Sequence, residues 1–121
     1  MKATPVEIEK YLKILEATPR MIASLTAPVE AILLESRPDK KSWSVDDILA
    51  HLRSCADLWT HSIYAMLAEK QPVLPNINER KWAKVTGYAE APFAESFQAF
   101  TLQRENLLRI LRVLPFESWE A

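Results

Sequence analysis

Glycine is nearly missing: Gly87 is the only one in 121 residues. Phosphate cradles of the P-loop or dinucleotide-binding kind need several glycines close together, so this count excludes most nucleotide enzymes. Cysteine is as scarce. Cys55 stands alone, so an internal disulfide cannot form, and the composition suits a reducing compartment. Neither charge dominates, since fifteen basic residues against sixteen acidic ones give a net charge of −1. That balance provides no long-range field for collecting phosphates and argues against a nucleic-acid partner. Long apolar runs are absent as well. No stretch approaches the roughly 18 consecutive apolar residues of a membrane-spanning helix, and the N-terminal MKATPVEIEK has no apolar run after its basic residue. The expectation is a cytoplasmic protein with no membrane partner. Strand-like alternation, internal repeats and low-complexity tracts are missing too.

What the chain does contain is helical period. Its length suits one domain over residues 1–121, enough to close a core without staples. The strongest start signal is Trp43-Ser44-Val45-Asp46-Asp47-Ile48. Ser44 can accept from the Asp47 amide while the Asp47 carboxylate answers back, and Trp43 and Ile48 have the spacing of a hydrophobic staple. Asp46 and Asp47 also put negative charge where the helix dipole favours it. This helix should run to about Glu69, before Pro72, with a core stripe of Ile48, Leu52, Cys55, Trp59, Ile63 and Met66.

Upstream, Thr4, Pro5 and Glu7 open a first helix whose apolar face reads Ile8, Tyr11, Leu12, Leu15, Ile22 and Leu25. Pro19 removes an amide from it and predicts a kink or a break at Thr18. Pro28, Pro38 and the Asp39-Lys40-Lys41 cluster mark a connector, with a short helical turn around Val29 to Glu35. A long link over 70–91 follows, shortened by a helix that Asn78 caps through Glu79-Arg80-Lys81-Trp82-Ala83-Lys84. Pro92 suits the start of a last long helix with the stripe Phe93, Phe97, Phe100, Leu107, Leu108, Leu111 and Leu114, and Leu114-Pro115 closes it. Glu105 and Arg109 add an i,i+4 pair. The predicted architecture is all-α: an up-and-down bundle of three long helices plus short connector helices.

These residues resemble a known family. Trp43-Ser44-Val45 followed by Ile48-Leu49-Ala50-His51-Leu52 is similar to the second-helix signature of the DinB-like proteins, the DNA-damage-inducible four-helix-bundle superfamily. The segments Gly87-Tyr88, Arg104-Glu105-Asn106-Leu107-Leu108 and Leu114-Pro115-Phe116-Glu117-Ser118-Trp119 are similar to later parts of the same family. The resemblance implies three histidines around a divalent metal, zinc or nickel, with His51 at the first position. The second and third positions, spaced i,i+4 on a fourth helix, have no counterpart, because the chain stops where that helix should begin. The resemblance therefore implies a metal site that is incomplete in this chain, either a relic or a sign that the domain is a C-terminally incomplete fragment, rather than a working site. It also implies metal-dependent chemistry on a small, thiol-type substrate, with any further ligands coming from a partner chain or from sequence absent here.

The residues themselves leave alternatives. His51 shares a face with Asp47 at i−4 and Cys55 at i+4, three ligand types zinc accepts. Asp47 is also explained as a capping group and Cys55 as a small apolar residue, which makes a structural His51 the competing reading. His61 lies at i+4 from Asp57 on a face with Arg53 that reads as solvated. Arg104 interrupts the last stripe, either as an anion-gripping group in a substrate pocket or as a stripe-edge arginine with a packed stem. Trp82 either covers a pocket mouth or packs its short helix on the bundle. Three helices patterned for four would expose an apolar groove, which predicts a homodimer, unless the first helix, split at Pro19, supplies two walls. Function thus divides between a DinB-like metal-dependent enzyme acting on a small molecule and a non-enzymatic self-association module with a structural His51.

Overall fold

A computed structural model describes residues 3–120. Lys2, the basic residue of the N-terminal stretch, and Ala121 lie outside them. All regular elements among the described residues are helical: α1 Pro5–Thr26, α2 Ala31–Leu34, α3 Val45–Ala68, α4 Glu79–Thr86 and α5 Phe93–Arg112, with 3-10 turns at Tyr88–Glu90 and Phe116–Glu120. This is the expected bundle of three long helices with short connectors. No helix among the described residues is long and apolar enough to cross a membrane.

The helix starts follow local rules. The Glu7 amide donates to Thr4 Oγ1 at 3.2 Å while the Thr4 amide donates to the Glu7 carboxylate at 3.1 Å. The Asp47 amide donates to Ser44 Oγ and the Ser44 amide to Asp47 Oδ2, both at 2.9 Å. Asn78 Oδ1 accepts from the Arg80 and Lys81 amides, and Gly87 ends α4 in the left-handed region at φ 69°, where an L side chain would be strained.

α5 is the central rod, packing against α1 on one side and α3 on the other. Its predicted stripe holds, with Phe93, Phe100, Leu107, Leu108 and Leu111 buried. One half of the core joins Ile8 and Leu12 of α1 to Leu107, Leu108 and Leu111; the other joins Leu34, Leu49, Phe93 and Phe100. Glu105 makes no ion pair with Arg109, whose guanidinium donates to Asn106 instead.

Three expectations need correction. First, α1 does not break at Pro19 but continues to Thr26. The carbonyl that proline leaves without a helical donor is that of Leu15, four residues back, and Arg104 of α5 donates to it at 2.8 Å. An unbroken α1 cannot serve as two walls. Second, Tyr11 and Leu25 are exposed, because α1 packs chiefly on one helix and only a narrow stripe is covered. Third, only part of the predicted α3 stripe meets the core, with Leu52 and Ile63 packed against it. Ile48, Trp59 and Met66 are exposed, Trp59 at 70%, while Leu49, Ala50 and Ser54 are buried. Ser54 of α3 and Ser96 of α5 are both 0% exposed, so small side chains lie among the most deeply buried on these two helices.

Candidate functional site

The start of α3 carries the first candidate. Asp47, already engaged with Ser44, also accepts from Arg37 Nε at 2.6 Å and from a second guanidinium nitrogen at 3.0 Å. The Arg37 hydrogen bonds, with those from Ser44, hold its carboxyl down at about 2. One turn on, half-buried His51 tilts against the Trp43 ring, 5.5 Å between centroids. Its Nε2 lies 3.5 Å from Cys55 Sγ. Burial, followed by the charge of Glu79, pushes the Cys55 thiol up and keeps it protonated. Trp43, Asp47 and His51 line a cavity of about 590 Å³ together with Arg37, Lys41, Arg80, Lys84 and Glu90.

A second constellation was not visible in the sequence. The face of α3 that reads as solvated is in fact covered by α4 and the Tyr88–Glu90 turn. Asp57 accepts there from Trp82 Nε1 at 2.9 Å, from the Tyr88 hydroxyl and from Gln103 Nε2. Arg53 lays its guanidinium 3.7 Å from the centre of the Tyr88 ring and donates to Ser96 Oγ at 3.1 Å. Burial, then the hydrogen bond to Asp57, raises the Tyr88 hydroxyl above its ordinary range. Of the residues predicted for that face only His61 is exposed. The usable signal was Tyr88 directly after the sole glycine, which returns the chain onto α3.

Arg104 and Trp82 are not brought to one pocket. Trp82 sits on the α4 side with Asp57. Arg104 lies across the bundle in a groove of about 270 Å³ between α1, α3 and α5, whose walls include Leu15, Leu52, Trp59 and Ile63. Burial lowers the guanidinium's pKa, and the Leu15 carbonyl and the Phe100 ring, 5.0 Å away, take up its donor and its face. The role these contacts give Arg104 is that of a replacement donor for α1.

The residues present do not fit a metal ion by themselves. Among the described residues no group of three or more histidine, cysteine or carboxylate side chains converges. Near His51, both Asp47 oxygens are committed to Arg37 and Ser44, and the raised Cys55 thiol is a poor ligand in its protonated form. His51 is left as one ligand where three or four are needed.

The fold is similar to that of YfiT from Bacillus subtilis, described as a probable metal-dependent hydrolase with an unusual four-helix bundle topology. The TM-score is 0.81 over 96% of this chain, at 16% identity. This chain spans 66% of that protein's length. No protein-family model and no curated protein sequence matches it. A likeness at such low identity establishes the helical-bundle fold and leaves the chemistry to the site.

Proposed function

We propose that this chain is a DinB-like helical bundle that takes part in a divalent-metal-dependent reaction on a low-molecular-weight substrate bound beside His51. The observation supporting this best is the position of His51, half-buried in the wall of a cavity of about 590 Å³. An imidazole in such a wall keeps a ring nitrogen within reach of water and of a small ligand. The likeness to a protein described as a probable metal-dependent hydrolase points the same way. His51 supplies one ligand in this reading, the others come from a second polypeptide segment, and no step is assigned to a metal on these residues alone. Purified protein incubated with zinc or nickel and then desalted should retain metal, and His51→Ala should retain none. Wild-type protein that keeps no transition metal overturns the reading.

A second reading has its own support in the apolar groove between α1 and α3, bordered by Trp59 at 70% exposure. In it the chain is a non-enzymatic association module with a structural His51, and a second copy fills the groove as a homodimer. Sedimentation of wild-type protein and His51→Ala should then give the same dimer. A strictly monomeric species at micromolar concentration defeats it.

A further inference from the structure

We infer that the cavity beside His51 binds a small dianion, a phosphate monoester or a dicarboxylate, held by Lys41 on one wall and by Arg80 and Lys84 on the other. The inference rests on the small-molecule reading in that the ligand enters the same cavity.

Six charged side chains line this cavity: Arg37, Lys41, Arg80 and Lys84 against Asp47 and Glu90. Arg37 and Asp47 neutralise each other through their two-pronged contact. Three cations therefore face one carboxylate, in a protein whose overall charge is −1. None of Lys41, Arg80 and Lys84 joins an ion pair among the described residues. All three are exposed side chains that line one recess, whose volume is in the ordinary range for small ligands.

The backbone under these cations is held in place. Asp39 Oδ1 accepts from the Lys41 and Ser42 amides at 2.8 and 2.9 Å, which fixes the turn that carries Lys41. The Asn78 cap fixes the first turn of α4, and the i,i+4 spacing of Arg80 and Lys84 keeps both on one side of that helix. A guanidinium beside ammonium groups suits a doubly charged head, since arginine grips two oxygens while lysine adds point charge. Trp43 offers an apolar flank for the rest of the molecule.

The test is calorimetric titration of the full chain with phenyl phosphate in one arm and succinate in the other, at low salt. Saturable 1:1 binding of at least one probe is expected, weakened by added salt, and the stronger arm identifies the head group. In the folded double variant Arg80→Ala/Lys84→Ala the affinity should fall about tenfold or more, whereas Lys70→Ala, away from the cavity, should leave it unchanged. No binding of either probe by folded wild-type protein overturns the inference, as does equal affinity in the double variant. Dianion binding without metal retention removes the metal reading and leaves this one standing. Metal retention without dianion binding does the reverse.

Discussion

α1 passes through Pro19 because α5 lends it a donor, and a double-mutant cycle measures that loan. Arg104→Met keeps an apolar stem against Phe100 and removes the group that donates to Leu15 O at 2.8 Å. Losing a charged donor from a part-buried acceptor costs about 2 kcal/mol. Removing the guanidinium also relieves a desolvation that lowers its pKa, so the net cost should be about 1–2 kcal/mol. Pro19→Ala restores the amide at position 19, which can reach the Leu15 carbonyl within the helix. In that background Arg104→Met should cost at least about 1 kcal/mol less than in the wild type. Urea unfolding followed by far-UV circular dichroism resolves this, and thermal unfolding should show the same coupling as roughly 4 °C in Tm. If the two substitutions add to within about 0.3–0.5 kcal/mol, Arg104 is not the replacement donor and the reasoning fails.

Asp46 is 3% exposed, its Oδ1 has no hydrogen-bond partner, and burial, with the charges of Glu35 and Asp47, pushes its pKa up to about 6. The folded state thus holds that proton more tightly than the unfolded chain does, and the contribution is lost as pH rises from about 4 to about 6. Asp46→Asn should gain up to about 3 kcal/mol at pH 8 and almost nothing at pH 4, and a gain that ignores pH in denaturant titrations refutes this. Asp47 has the opposite sign: held at about 2, it stabilises above pH 4 and ceases to as pH falls through 2. Arg37→Met should raise the midpoint of acid unfolding while lowering stability at pH 7 only slightly, because Arg37 is exposed to screening. Asp57→Ala strands the donors of Trp82, Tyr88 and Gln103; about 3 kcal/mol of lost stability and a red-shifted tryptophan emission are expected, and wild-type values for both would show the network idle.

The caps were legible because each is a local event. Thr4 with Glu7, Ser44 with Asp47, and Asn78 with Arg80 are three residues apart or fewer, and spacing alone specifies them. The α5 stripe was legible because its large apolar residues, the exposed Leu102 apart, cluster on one face. α3 was not, since it carries apolar side chains on both flanks and two turnings satisfy the same period. What selects the observed one is long-range: Trp82, Tyr88 and Gln103 meet Asp57 across 25, 31 and 46 residues. The same distance hides the cations of the cavity. Lys41, Arg80 and Lys84 look like ordinary surface charge until the Gly87 turn folds α4 against the start of α3.

The groove and the cavity meet at one contact. Cys55 lines the groove, His51 lines the cavity, and their side chains touch at 3.5 Å through Sγ and Nε2. A second copy seated in the groove would cover Cys55 from one side while a ligand meets His51 from the other. If the imidazole turns when either surface is filled, the other surface responds, and linkage makes that effect reciprocal. Dianion affinity should therefore depend on protein concentration across the dimerisation range, and phenyl phosphate should shift the dimer constant by the same factor. Trp59→Asp, which places a charge on the groove's exposed border, should abolish both dependences while keeping the monomer's affinity. Binding that is identical in monomer and dimer would mean that α3 separates two independent surfaces, with the thiol–imidazole contact carrying nothing between them.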